Sequence, residues 1–183
     1  LLYVQKIEAG MVKLQLSEVD IVQIITDVVE SFRELADFQH CTLTSNITIP
    51  SLSLWIDVEK IISAVKNLLS NAFKYTPQGG SVSVTVEEKA IDEGSFCILS
   101  VSDTGVGMPK EDQEHIFDSF ITGVNRPNYS TKVGIGLYIV KNTVELHHGL
   151  IKLESEPGKG STFKLYIPTG KEHFVNDSYE IVA

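Results

Sequence analysis

Asn67, Asn71, Lys74 and Tyr75 recur at i, i+4, i+7 and i+8 in a stretch of helical period. That spacing puts all four on roughly one side of a helix. Asparagine suits a helix interior poorly, because its side chain competes for the backbone. Two of them one turn apart cost stability unless they have a task. Amide oxygens are suitable ligands for Mg2+, which takes few protein groups alongside substrate phosphates. The Lys74 ammonium can meet such phosphates as a point charge. A polar helix face with incidental asparagines is the plainer alternative. A second set begins where the apolar run Phe96–Val101, which reads as a buried strand, gives way to Asp103, Gly105, Gly107, Met108 and Pro109. A carboxylate at a strand end can accept hydrogen bonds from a ligand amino group, and glycines let backbone approach closely or turn at φ > 0. Alone, this pattern also fits an ordinary turn.

Two further glycine motifs follow. Gly134, Ile135, Gly136 and Leu137 open a helical pattern, where backbone N–H groups and the helix dipole make an anion site. Gly158, Lys159, Gly160 and Ser161 punctuate a hairpin. Each is weak alone; the order of the four sets is specific.

The elements that must position these residues can be read from periodicity. Residues 1–9 read as a helix too short to stand alone, with Gly10 as its C-terminal stop. Met11–Leu16 alternates as a strand. Asp20, with Gln23 three residues on, has capping-box spacing and starts a helix whose apolar stripe runs from Ile21 through Phe32 and Leu35 to Ala36. Cys41–Ile47 and Leu52–Trp55 read as strands. Asp57 caps the helix that carries Asn67 to Tyr75, and Thr76–Gly80 stops it. Ser81–Val86 and Ser95–Ser102 form an antiparallel hairpin across a polar connection, and residues 110–117 a short helix. The aperiodic stretch 121–133 has the length of a lid or binding loop. A helix then runs from Gly134 to a stop at Gly149, followed by a hairpin of Leu150–Glu154 and Ser161–Ile167. Residues 169–183 read as a polar tail or linker. Three amphipathic helices with strands mostly in hairpins predict a two-layer α/β sandwich, the helices on one face of a mixed sheet.

The bulk numbers agree. A chain of 183 residues with 43% hydrophobic and 21% charged content suits one soluble domain that buries a core without disulfides or metals. A net charge of −9 repels nucleic acid and anionic membrane. Cys41 and Cys97 stand in apolar alternation and read as buried structural thiols, and no Cys/His spacing resembles a zinc site. No apolar run approaches the roughly 18 residues a membrane span needs. The first residue, Leu1, suggests an excised fragment.

In this order the four sets resemble the sensor histidine kinases of two-component signalling, in the GHKL superfamily that also holds gyrase-type and chaperone ATPases. Asn67–Thr76 resembles the family's N box, Asp103–Gly107 its first glycine box, Phe117–Phe120 its F box, Gly134–Leu137 its second glycine box and Gly158–Ser161 its terminal one. The resemblance covers residues 1–168. It implies a Bergerat-type catalytic domain over residues 11–168, preceded by the end of a dimerisation helix in residues 1–10. The whole arrangement resembles hybrid kinases, in which a receiver domain follows.

The resemblance further implies that Asp103 accepts from the adenine amine, that Ser161 holds a water or the adenine edge, and that Tyr75 lines the base or ribose. Lys74 would reach the phosphates and Asn71 would coordinate Mg2+, with Asn67 beside it. Gly105, Gly107, Met108, Gly134, Ile135, Gly136 and Leu137 complete the implied ATP contacts. Where gyrase-type ATPases have a glutamate that activates water, this chain has Asn67, which cannot act as a base. That favours phosphoryl transfer to a protein side chain over hydrolysis. Lys132 stands where the family often has another glycine, so the lid is stiffer there or Lys132 adds phosphate charge. The family's phosphoacceptor motif is absent around His40, His115, His147, His148 and His173. The resemblance therefore implies an acceptor on a separate dimerisation domain, a receiver domain downstream and a membrane-anchored whole protein with this domain in the cytoplasm. His147 and His148, at a helix end where a cation favours the dipole, read as structural. Two rivals are a GHKL ATPase or serine-directed kinase, opposed by Asn67 and the helix before Gly10, and a degenerate interaction domain, opposed by four filled boxes.

Overall fold

The computed structural model describes residues 12–92, 94–117, 134–175, 177 and 179–182. Among them the chain runs β1 (Leu14–Asp20), α1 (Ile21–Glu30), α2 (Arg33–Phe38), β2 (Thr42–Ile47), β3 (Ser53–Ile56), α3 (Val58–Tyr75), β4 (Ser81–Ile91) and β5 (Gly94–Asp103). It continues with α4 (Lys110–Gln113), α5 (Gly134–Leu146), β6 (Leu150–Glu156), β7 (Gly160–Pro168), a 3-10 turn (Glu172–Phe174) and β8 (Tyr179–Ile181). The expected helix before Gly10, the stretch 121–133, Lys132 and the F-box residues 118–120 lie outside the described residues.

Strand alternation builds the main sheet, ordered β2-β4-β5-β7-β6, with β2 and β4 parallel and the other neighbours antiparallel. Because side chains alternate across a strand, register stacks them in rows. Val86, Leu99, Leu165 and Ile151 form one row; Val84, Val101, Phe163 and Leu153 form the next. These rows face α1, α3 and α5 and share one apolar core with Ile25, Leu68, Leu69, Val140 and Val144. The intervening Ser83, Ser102, Thr162 and Lys164 take the opposite face. The two-layer sandwich with helices on one face is therefore observed. A second sheet, β3-β1-β8, extends it.

Four expectations need correction. The helix from Asp20 is broken: α1 ends at Glu30, and α2 begins at Arg33. Ser31 Oγ turns back to donate to the Val28 carbonyl at 2.6 Å, and Phe32 between the helices stacks on Phe73 with ring centroids 5.9 Å apart. The capping box is half made. Asp20 Oδ1 accepts from Val22 N–H and from Leu52 N–H, both at 3.0 Å, while the Gln23 amide turns to Asp27. The first strand runs later than expected, because Ser17–Asp20 pairs with Ser53–Ile56. The short helix at 110–117 stops at Gln113 and continues as a turn.

The expected tail is also folded. Phe174 is fully buried against Leu14 and Leu16, and β8 pairs in parallel with β1. Burying one phenylalanine contributes about 2 kcal/mol. Glu172–Phe174 and Tyr179–Ile181 are thereby tied to β1. Cys41 and Cys97 are free and buried. Burial pushes the Cys97 thiol up to about 12, with the Glu88 charge adding to it, which makes it inert.

Candidate functional site

One row beyond the apolar rows, the same register carries polar side chains. Asp103 on β5 stands beside Ser161 on β7, which stands beside Ser155 on β6. Being in step with Val101, Phe163 and Leu153, these three face the helical layer at the open end of the core. Asp103 Oδ1 accepts from Gly105 N–H at 2.8 Å and from Ser161 N–H at 3.3 Å. Oδ2 has no partner among the described residues. Burial raises the Asp103 carboxyl above its ordinary value, and the two N–H donors offset part of that rise. A carboxylate so placed has one oxygen free to receive a donor from a ligand.

The loop after Asp103 is fastened on both sides. Val106 N–H donates to the Tyr75 carbonyl at 3.2 Å, and Gly158 N–H donates to the Val106 carbonyl at 2.8 Å. Met108 N–H donates to Ser155 Oγ at 2.9 Å, and Gln113 Nε2 donates to both the Met108 and Ser155 carbonyls, at 2.8 and 3.0 Å. A side chain at Gly105 would meet the Tyr75 carbonyl at 2.5 Å. Gly107 has φ +64°, and a Cβ there would lie 1.9 Å from the Glu156 carbonyl. Both positions therefore exclude any larger residue.

On α3 the remaining residues descend one face. The Tyr75 hydroxyl is buried without a hydrogen-bond partner among the described residues, and Lys74 Nζ lies 5.0 Å from the Tyr75 ring centroid. Asn71 is half-buried. Asn67 Nδ2 donates to the Ser63 carbonyl at 2.9 Å, and its Oδ1 lies 2.8 Å from where a Cβ at Gly136 would be. Gly136 thus lets the start of α5 abut the first asparagine. Ile135 is exposed and Leu137 is buried in the core. An open hollow of about 400 Å³ runs along α3 from Glu59 to Ser70 and includes Asn67.

The structure thus links Tyr75, Asp103, Gly105, Gly107, Met108 and Ser161 through one hydrogen-bonded loop, and joins Asn67 to Gly136 at the other end of the α3 face. Gly134 opens α5. An acceptor oxygen, backbone cleared by glycine, an orphan hydroxyl and the Lys74 cation beside it stand at one end, and amide oxygens at the other. That donor set suits a nucleotide with its metal. Ser155 and Gln113 were not found from sequence. The signal was present for Ser155: Ile151, Leu153 and Ser155 alternate in step, so a hydroxyl occupies a core-facing register.

The N-terminal end of α3 holds a second carboxylate, and this one is buried. Asp57 caps the helix by accepting from Lys60 N–H at 3.1 Å. Its other oxygen accepts from Gln15 N–H at 3.0 Å and the Lys60 ammonium at 2.6 Å. Burial alone would raise this carboxyl, but the donors outweigh it and hold it below the ordinary range. The Asp57 N–H donates to His147 Nε2 at 3.0 Å, and His147 Nδ1 donates to the Thr143 carbonyl at 2.6 Å. His147 is therefore a neutral Nδ1–H tautomer. Burial depresses it to about 4, with smaller opposing and reinforcing effects from its neighbours. The expected structural role stands on this geometry, but not as a cation at a helix end. No group of three His, Cys, Asp or Glu among the described residues is arranged to hold a metal.

Residues 56–171 match the family described as histidine kinase-, DNA gyrase B- and HSP90-like ATPases. The chain belongs to that family. Among the family's branches it sits with the histidine kinases. Histidine kinase P4 of Formosa agariphila is 33% identical over 183 aligned positions, 98% of this chain and 13% of that protein. Sensor histidine kinase WalK of Bacillus subtilis is 34% identical over 84% of this chain and 25% of its own length. The chain thus spans a quarter or less of these two relatives. The catalytic domain of histidine kinase ThkA, at 24% identity, shares the fold with TM-score 0.70 over 85% of this chain and 97% of that one. Full-length ShkA in complex with AMPPNP matches with TM-score 0.79 and 26% identity, over 92% of this chain and 34% of that one. No described helix is long and apolar enough to cross a membrane.

Proposed function

We propose that this chain is the catalytic domain of a sensor kinase. It binds ATP with Mg2+ and presents the γ-phosphate to a histidine on a separate dimerisation domain. The observation that carries this reading is Asp103, a half-buried strand-end carboxylate with one oxygen tied to Gly105 and Ser161 and the other open. Asp103 receives the adenine amine, Ser161 holds a water or the base edge, and Gly105, Gly107 and Met108 give the base its wall. The buried Tyr75 hydroxyl faces the base or ribose. Asn71 holds Mg2+, with Asn67 beside it, and Lys74 meets the phosphates. Lys132, Gly134 and Gly136 complete the phosphate end. When bound, Mg2+ neutralises phosphate charge; the chain's own part is positioning.

Hydrolysis is the rival chemistry. Asn67 disfavours it, because an amide whose NH2 donates to Ser63 cannot take a proton from water. Residues 1–10 are read as the end of the dimerisation helix. A receiver domain consumes the phosphohistidine, and the whole protein is membrane-anchored with this domain in the cytoplasm. The test supplies a purified sensor-kinase dimerisation domain with this chain, Mg2+ and γ-labelled ATP. Label is expected on the acceptor histidine, to be lost with Asn71→Ala, while this chain alone incorporates none. Label transfer undiminished by Asn71→Ala would remove the metal role. Phosphate release at an equal rate without the acceptor would favour the hydrolytic reading.

A further inference from the structure

We propose that Ser155 is a specificity-determining residue: it orients the Ser161 hydroxyl so that the base pocket presents acceptors only. The inference rests on the nucleotide reading of this site. Ser155 Oγ lies 2.9 Å from Met108 N, 3.0 Å from the Gly160 carbonyl oxygen and 2.9 Å from Ser161 Oγ. Two of these partners have no choice of role. The Met108 N–H can only donate, and the Gly160 carbonyl can only accept. The one hydrogen of Ser155 goes to Gly160, so the hydroxyl of Ser161 must donate its own hydrogen to Ser155. Ser161 is buried and neighbours Asp103 in the strand register. Its hydrogen is spent, and the lone pairs it turns to the pocket can only accept. Beside it, the open oxygen of Asp103 also only accepts while ionised.

The pocket rim is therefore matched to a base that offers an amino group at this edge and opposed to one that offers a carbonyl. A hydroxyl free to rotate would serve either. Gln113 keeps the arrangement in place by holding the Met108 and Ser155 carbonyls together. Ser155 itself is two strands from Asp103, with β7 between them, and acts through Ser161.

ATP and inosine triphosphate differ at this edge, an amino group in one and a carbonyl in the other. Calorimetric titration of each, with Mg2+, into the whole chain gives their affinity ratio. The wild type favours ATP. Ser155→Ala is expected to cut that preference about tenfold, the worth of one hydrogen bond, and Ser155→Thr to keep it. In a Ser161→Ala background Ser155→Ala changes the ratio no further. An unchanged ratio in Ser155→Ala, or an equal fall in the Ser161→Ala background, overturns the proposal. Should the alanine variant not fold, the isosteric pair Ser155→Thr and Ser155→Val decides: equal ratios overturn the proposal, a lower one in valine supports it. A wild type that binds neither nucleotide refutes the proposed function together with this inference; one that binds ATP with a ratio indifferent to residue 155 refutes this inference alone.

Discussion

Asp57 and Asp103 are both aspartates at strand ends facing a helical layer, and they do opposite things. Asp57 has both oxygens filled, by Lys60, by Gln15 and by the helix N-terminus it caps, and its carboxyl is held below the ordinary range. Asp103 has donors on one oxygen only, and burial holds it above that range. The first carboxylate is ionised because the fold needs its charge. The second is a charge the fold tolerates. A perturbed carboxylate marks a functional site only when its coordination is also incomplete.

That contrast can be broken by substitution. Asp57→Ala strands the Gln15 N–H, the first turn of α3 and the Lys60 ammonium. It should cost about 3 kcal/mol in urea unfolding, while the folded fraction binds ATP within about threefold of wild type. A variant as stable as wild type would make Asp57 an ornament. His147 extends the structural end. Its folded value of about 4 lies below the 6.5 of an unfolded histidine, so the unfolded state binds the extra proton between those limits. Stability is full above about pH 6.5 and falls as pH drops toward 4. From pH 7 to 5.5 the loss from this residue is about 1 kcal/mol, and His147→Gln should show a slope shallower by that amount. Parallel slopes would place His147 in solvent. The smallest effect has the opposite sign. Asp103 is raised, so between pH 3.8 and its folded value the native state binds the extra proton, and stability falls as pH rises. Asp103→Asn at pH 7 should be neutral or slightly stabilising, by less than about 1 kcal/mol given its partial solvation. A large loss would mean that Asp103 is structural like Asp57.

Much of this was legible because its signals are local. Val82, Val84 and Val86 repeat every second residue, and Asp20 and Asp57 sit directly before apolar helical stripes. The glycines at 105 and 107 flank an acid at the end of an apolar run. What was not legible depends on distant partners. The break at Ser31 and Phe32 is invisible in an unbroken apolar stripe, since Phe73, on which Phe32 stacks, lies 41 positions on. His147 gave no hint of neutrality, because its donor is the Asp57 backbone, 90 residues away. Phe174 and Tyr179 are two aromatics five positions apart in a polar stretch, and such a pair has no period. Ser155 falls outside a β6 ended at Glu154, two residues short of its observed end at Glu156.

Titration of ATP with Mg2+ into wild type and Asp103→Ala, after both are shown to unfold at the same midpoint, tests the central claim most directly. The account predicts binding by the wild type and a loss of about a hundredfold in the variant, the cost of one charged hydrogen-bond acceptor. Equal affinity in the two proteins would contradict it.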